Sequence, residues 1–424
     1  MGLLFFPRGG SAHVARNLAT ALPGAGWQAG ILSGSLSLPG RPGDARAFYR
    51  GLDLHTVDFT GALKAEDPLL ADPPFHPSFE DRPGAPDRVF ASLDDEVAEH
   101  LTAAWAQALV AAGAPEADVL HLHHLTPINE AAARVAADTP VVGHLHGTEL
   151  LMLEAIEADP DRWAHAEAWV ERLRRWAARC ERLLVLSSSQ DVRAERLLGV
   201  PPEQCVQVPN GFDPGRFQPR EVDRGAHWAE YVPALAGCDG PVLLYVGRFT
   251  EVKRVPLLIE AYGEAQKRFA ERAPLVLVGG FPDEFEGEHP DEAIARTGAR
   301  DVHLAGWHEH DVLPRFLNAA DLVVLPSVAE QFGQVLVEGM ACGRPVIAVD
   351  SHGPAEIVDA GETGWLVGPD DREALADALV EAVNRPDERR RRGLRAREVA
   401  LERYAWPSLA ERVAAVYESA LDRA

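Results

Sequence analysis

The sequence predicts an α/β fold made of two Rossmann-like, doubly wound domains that face each other across a cleft. Three observations point there. Short apolar runs alternate with helical stretches, the pattern of parallel βαβ units. The alternation starts twice, at the N-terminus and again after residue 240. At 424 residues the chain also exceeds what one hydrophobic core ordinarily organises.

Taken in order, Leu3–Phe6 is the first expected strand, Arg8-Gly9-Gly10 the turn after it, and Ser11–Leu22 the first helix. Strands are expected at Val119–Leu122, Val141–Leu145, Leu183–Leu186 and Val206–Val208. The second series places them at Val242–Val246, Leu275–Val278, Val302–Leu304, Leu322–Leu325 and Val346–Val349. Pro214–Gly240, rich in proline, glycine and charge, marks the boundary between the series.

Lys64–Pro86 holds six prolines among acidic residues and is too long for an ordinary connection. It reads as a functional loop, a lid reaching towards Glu99, or as a disordered, solvated insertion. Helix Arg162–Cys180 carries Trp163, Ala166, Trp169, Leu173, Trp176 and Cys180 on one face, a stripe expected to pack on the sheet and not to dip into a membrane. The run Arg385–Arg397 reads as a solvated helix face.

A net charge of −24 argues against a nucleic-acid partner, which needs clustered lysine and arginine. The same charge disfavours stable association with anionic membranes. No apolar stretch approaches the ~18 residues of a membrane span. Cys180, Cys205, Cys238 and Cys342 stand far apart without a C-x-x-C pair, so neither a disulfide framework nor a zinc site is expected. The chain reads as cytoplasmic; its oligomeric state is left open.

The densest chemical signal is Pro326–Glu338. It follows an apolar strand and opens a helix, where unpaired amides and the positive end of the dipole suit a phosphate or a sugar hydroxyl. Glu330 and Glu338, eight residues apart, are expected on one side of the element about 12 Å apart. That spacing suits a sugar and a ribose better than a hydrolase carboxylate pair. Gly247-Arg248-Phe249-Thr250-Glu251-Val252-Lys253 follows another strand; its guanidinium and ammonium can clamp two phosphates. No G-x-G-x-x-G follows the first strand, which removes the support for a dinucleotide oxidoreductase.

Glu330-x7-Glu338 and Gly247-Arg248-x4-Lys253 resemble the signature motifs of the family 4 (group 1) retaining glycosyltransferases, which have the GT-B fold. The similarity is strongest from Pro241 to Pro369. It implies residues 1–215 as an acceptor-side domain, 216–403 as the nucleotide-sugar donor domain, and 404–424 as a helix crossing back to the first. It also implies catalytic roles for Glu330, His146, Arg248 and Lys253. Donor binding would involve Gly9, Gly10, Arg248, Lys253, Glu330, Phe332, Gly333, Gln334, Val335 and Glu338.

His146 matches the family's histidine at a strand end, and His123 in Leu120-His121-Leu122-His123-His124 is an acceptor-side candidate. Asn210, in Pro209-Asn210-Gly211-Phe212-Asp213, is grouped on the acceptor side and closes the first domain. Ala12 stands where the family often has an acidic residue. Glu356 matches a recurrent glutamate with a structural role. The implied reaction is metal-independent, retaining transfer of a hexose-type sugar from a nucleotide diphosphate, UDP by default, to a small-molecule hydroxyl. The sequence leaves room for a lipid or polysaccharide acceptor, a phosphorylase, or a non-catalytic nucleotide-sugar binder. Asp159-Pro160-Asp161 has the D-x-D spacing of metal-dependent transferases, but follows no strand and precedes a helix, so N-capping is expected.

Overall fold

The computed structural model describes residues 1–7, 9–38, 43–81, 86–280 and 285–422. Arg8 of the expected turn and residues 82–85 of the proline-rich stretch lie outside them. The chain divides into two compact units, Met1–Pro209 with Trp406–Ala424, and Asn210–Ala405. The first division falls six residues before the expected 215/216 boundary and the second two residues after 403/404.

The first unit is built on seven parallel strands: β1 (Gly2–Leu3), β2 (Gly30–Ser35), β3 (Asp53–Asp58), β4 (Leu120–His123), β5 (Val141–His144), β6 (Arg182–Val185) and β7 (Cys205–Gln207). Their order is β3-β2-β1-β4-β5-β6-β7, so the winding reverses between β1 and β4. β4, β5 and β6 are buried throughout, as expected where helices cover both faces of a sheet. On β4, Leu120 and Leu122 enter the main core, which also takes Trp105, Trp169 and Leu173. His121 and His123 therefore point to the opposite face.

That opposite face is covered by the helix Trp406–Leu421, whose Leu409, Val413 and Tyr417 pack with Val14, Leu18, Val142 and Leu184. The tryptophan stripe also packs inward: Trp169 and Leu173 are fully buried, and the Trp169 indole donates to the Leu93 carbonyl at 2.8 Å.

The proline-rich segment is solvated in part, with Lys64, Ala65, Glu66, Leu70 and Asp72 exposed, but it also enters the core. Pro74–Phe79 is buried without a break. Phe75, His76 and Phe79 close on Phe5, Phe6 and Phe59, with ring centroids 4.5–6.4 Å apart among them. Asp159 and Asp161 do not N-cap a helix. Asp159 ends the helix Thr148–Ala158, and the next helix, Ala166–Arg179, begins after His165.

The second unit carries six parallel strands: β8 (Leu243–Gly247), β9 (Leu275–Gly279), β10 (Val302–Gly306), β11 (Leu322–Leu325), β12 (Val346–Val349) and β13 (Gly364–Val367). The order β10-β9-β8-β11-β12-β13 reverses between β8 and β11. Ligands of open α/β sheets bind at such reversals, beyond the carboxyl ends of the strands.

The basic run is not simply a solvated face. Arg392 is buried, lies 4.0 Å over the Trp365 ring and donates to the Gly364 carbonyl at 2.9 Å. Arg397 donates to the Ala341 carbonyl at 2.6 Å, and Arg389 to those of Ala382 and Val383. These guanidiniums tie the helix Pro386–Tyr404 to its neighbours.

His227, on the helix Arg224–Tyr231, is fully buried against Trp228, Tyr231 and Phe316, with ring centroids 4.7–4.9 Å away. Neither ring nitrogen has a hydrogen-bond partner among the described residues. Burial, with help from Arg315, lowers its pKa to about 4. The unfolded chain therefore takes up a proton near pH 6.5 that the folded one refuses, and stability falls as pH drops from there towards 4. His227→Phe is expected to flatten that stretch of the stability curve by at most on the order of 3 kcal/mol. Urea unfolding of both proteins at pH 7 and pH 4.5 measures it; identical slopes would count against a neutral buried His227.

Candidate functional site

In the second unit, two loops meet at the reversal point. The first leaves β8 through Gly247 and Arg248. Gly247 cannot carry a side chain, because a Cβ there would sit 2.7 Å from the Tyr245 hydroxyl. That hydroxyl donates to the Arg248 carbonyl at 2.7 Å and fixes the turn. A 3-10 turn, Glu251–Lys253, then presents Lys253. Arg248 is exposed, and its guanidinium makes no hydrogen bond or ion pair among the described residues.

The second loop, Pro326–Gly333, leaves β11. The Val328 amide donates to the Val252 carbonyl at 3.0 Å, which ties the two loops together. Next to that tie, the Lys253 ammonium pairs with the Glu330 carboxylate, and both side chains are mostly buried. The phosphate clamp and the sugar-side carboxylate expected from sequence are thus in direct contact with each other.

Gly333 takes φ +104°, a left-handed conformation that glycine adopts without strain, and opens the helix Gln334–Ala341. The amides of Gln334 and Val335 in the first turn have no acceptor within the helix and are open to an anion. Phe332 is buried beneath the loop, 6.0 Å from the Tyr404 ring. Gly353 packs so closely on the loop that a Cβ would lie 2.5 Å from the Phe332 backbone.

Glu330 lies before this helix, not on it, so the helical spacing expected for Glu330 and Glu338 does not apply. Glu338 sits one turn into the helix and is buried. One of its oxygens is shared by His310 Nε2 at 2.7 Å and the Gln334 amide at 3.3 Å. His310 was not among the expected site residues. The second Gln334 donation, to the Gly211 carbonyl at 2.9 Å, brings the Asn210-Gly211 turn alongside. Asn210 belongs to this unit and not with the first, where the acceptor side was expected.

In the first unit, Gly9 and Gly10 open the helix Gly10–Ala21 after β1, and a Cβ at either would meet no protein atom within 4 Å. Across the reversal point, β4 and β5 end in a stack of imidazoles. His123 faces His144 in register, and His121 shares their face. Ring centroids in His121–His123, His123–His144, His144–His146 and His123–His146 are 4.5–5.2 Å apart, with interplanar angles of 10–24°. His123 Nδ1 and His146 Nε2 share a hydrogen bond at 3.0 Å; His121 bridges Tyr417 Oη at 2.6 Å and His144 Nδ1 at 3.1 Å.

Burial first, and the neighbouring imidazoles second, hold His121 and His123 well below the usual histidine range. The same causes hold His146 there. The carboxylate of Glu149 is fully buried beside them. Burial raises its pKa, but His124 at 3.4 Å and the amides of Glu149 and His146 outweigh that and keep it ionised. Sequence singled out His123 and His146 but missed His121, His144 and Glu149. The alternation Leu-His-Leu-His already places His121 on the face of His123.

No helix among the described residues is long and apolar enough to cross a membrane. Residues 235–399 match the family model of the glycosyl transferases group 1, and residues 8–216 that of glycosyltransferase family 4. The chain is 35% identical over 268 residues to alpha-maltose-1-phosphate synthase of Mycolicibacterium smegmatis, covering 59% of this chain and 65% of that one. It is 33% identical over 248 residues to D-inositol 3-phosphate glycosyltransferase of Nocardia farcinica, covering 58% and 54%. The match therefore spans between half and just under two thirds of each relative. Sucrose-phosphate synthase from Thermosynechococcus elongatus has a similar fold, with a TM-score of 0.72 at 21% identity over 100% of this chain and 99% of that one. So does HepE of Anabaena, solved with UDP-glucose, with a TM-score of 0.69 at 21% identity over 99% and 100%.

Proposed function

The chain belongs to the family 4 (group 1) glycosyltransferases, with the GT-B fold, and from that premise we propose that it transfers a hexose-type sugar from a nucleotide diphosphate to a small-molecule hydroxyl with retention of configuration. The observation that carries the proposal is the junction at the β8–β11 reversal. There an exposed guanidinium, an ammonium, a glutamate and open first-turn amides converge. Such a group of donors suits a diphosphate whose negative charge grows as it departs.

Arg248 and Lys253 stabilise that leaving diphosphate. Glu330, held by Lys253 before the donor arrives, turns to the hydroxyls of the transferred sugar. Glu338 takes the ribose hydroxyls. No side chain in the motif is placed as a covalent nucleophile, so the acceptor hydroxyl attacks on the face the diphosphate leaves, with a diphosphate oxygen taking its proton. No metal is required at the diphosphate, because two cationic side chains and the helix amides supply the charge. His146 stands beside the transferred sugar, and His123, buried behind it at 3.0 Å, belongs to the acceptor side.

UDP is the proposed nucleotide, since HepE was solved with UDP-glucose. A small acceptor fits the relatives, one of which is named for D-inositol 3-phosphate. Four free cysteines fit a reducing, cytoplasmic setting.

The test is a thermal-shift panel of UDP, GDP, ADP and their sugars, followed by NMR of the product formed with and without EDTA. An α-linked product from an α-linked donor, formed at the same rate in EDTA, is expected. A β-linked product or a strict requirement for Mn²⁺ would overturn retention or metal independence respectively. Glu338→Ala is expected to raise the donor KM by about tenfold or more, the loss of one to two hydrogen bonds to a charged group, with a smaller effect on kcat. An unchanged KM would remove Glu338 from the ribose site.

A further inference from the structure

We propose that His121, His123 and His144 form a binding site for a divalent transition-metal ion of the zinc class, in the first unit and separate from the diphosphate chemistry. The ligand atoms of these three side chains lie within 4.8 Å of one another. Among the described residues this is the one such group of histidine, cysteine or carboxylate side chains.

All three histidines are almost completely buried, at 1–2% exposure. His123 Nε2 and His144 Nε2 are enclosed and have no hydrogen-bond partner among the described residues. A buried polar nitrogen left unpaired is costly, and two in adjacent rings are not an ordinary core arrangement. A metal ion accepts both lone pairs at once.

The chemistry of the donors selects the ion. Neutral imidazole nitrogen is the commonest protein ligand of such ions. Three nitrogens without a carboxylate in the first shell favour zinc and its transition-metal neighbours over Mg²⁺ or Ca²⁺, which prefer oxygen. Among the described residues the fully buried Glu149 carboxylate is bonded by His124, Thr148 and the His146 amide, at 3.2–3.4 Å. It supplies a negative charge that a nearby dication would offset.

The strand register fixes the site's frame. His121 and His123 alternate onto one face of β4, and His144 stands opposite His123 on β5. The rings now stack at 10–24°, so their lone pairs do not converge on one point. Tetrahedral zinc with bonds of 2.0–2.1 Å needs nitrogens about 3.4 Å apart. The movement this requires is a turn of the rings about χ2, a broad and soft torsion in histidine. His121 then gives up its 3.1 Å hydrogen bond to His144 for the metal. His146 is the one partly exposed member of the stack.

The expectation of no metal rested on cysteine spacing and on the diphosphate; the alternation in β4 pairs His121 with His123 in the sequence, but His144 joins them only through the strand register. The proposal stands whether or not the chain transfers a sugar.

The experiment uses the full chain, stripped with chelator and dialysed, and titrated calorimetrically with ZnCl2 and, in parallel, with MgCl2. One Zn²⁺ per chain with micromolar or tighter affinity is expected, and no Mg²⁺ binding. His123→Ala and His121→Phe should each weaken the zinc affinity at least tenfold. Cobalt(II) provides a second reading on the unaltered protein: the intense visible bands of a tetrahedral, nitrogen-rich site are expected, and zinc should abolish them. Absence of zinc binding, zinc affinity indifferent to both substitutions, or a pale octahedral cobalt spectrum would each overturn the proposal.

Discussion

Replacing Lys253 by alanine is expected to slow sugar transfer by about 100- to 1,000-fold, the loss usual when one preorganised donor to a developing negative charge is removed. In free energy this is about 3–4 kcal/mol of transition-state stabilisation. The cause is double. The ammonium is lost from the leaving diphosphate, and the mostly buried Glu330 carboxylate is left without its counter-ion, facing an incoming anion. The backbone around the position is held by its own bonds: the Lys253 amide to the Thr250 carbonyl, and the Arg254 amide to that of Glu251. The variant should therefore fold. Steady-state kinetics with saturating acceptor give the answer, and kcat/KM within a factor of three of the unaltered enzyme would refute the role.

Glu330→Ala should separate two quantities that Lys253→Ala lowers together. Removing the carboxylate frees the Lys253 ammonium, so the nucleoside diphosphate alone should bind as tightly as before, or more tightly. Turnover should fall by about 100-fold or more, because the sugar loses a charged hydrogen-bond acceptor that is strongest as the bond breaks. Calorimetric titration with UDP beside the transfer assay measures both. If UDP affinity collapses along with turnover, Glu330 shapes the loop and does not hold the sugar. If turnover persists, the carboxylate has no part in the reaction.

The two series of βαβ units were legible because their central strands are buried on both faces and therefore read as apolar runs. Leu322–Leu325 and Val346–Val349 match the observed strands residue for residue. β2 was not found: Gly-Ile-Leu-Ser-Gly-Ser breaks the apolar run with glycine and serine. Gly34 is required there, since a Cβ would lie 2.3 Å from the Phe59 ring. β3 is the sheet's edge and alternates exposed with covered residues, so Asp-Leu-His-Thr-Val-Asp carries no continuous signal. In β13, Gly364 must be small because a Cβ would meet the Val346 carbonyl at 2.1 Å; that contact comes from the neighbouring strand and cannot be seen in the segment itself.

For the site, the motifs identified individual residues but not their partners. Lys253 and Glu330 are 77 residues apart in sequence, and meet because β8 and β11 are adjacent at the reversal. His310 lies in a polar stretch after β10 that has no pattern of its own, and only the fold brings it 2.7 Å from Glu338. The misreading of Glu330 as a helical residue has a single cause: the helix begins at Gln334, after the left-handed Gly333, and the preceding loop is irregular.

A crystal structure of the chain soaked with UDP tests the central claim most directly. The diphosphate should lie between Arg248, Lys253 and the first-turn amides of Gln334 and Val335, with the ribose at Glu338 and the Lys253–Glu330 pair opened. UDP bound elsewhere, or that pair intact with no density beside it for UDP, GDP or ADP, would contradict it.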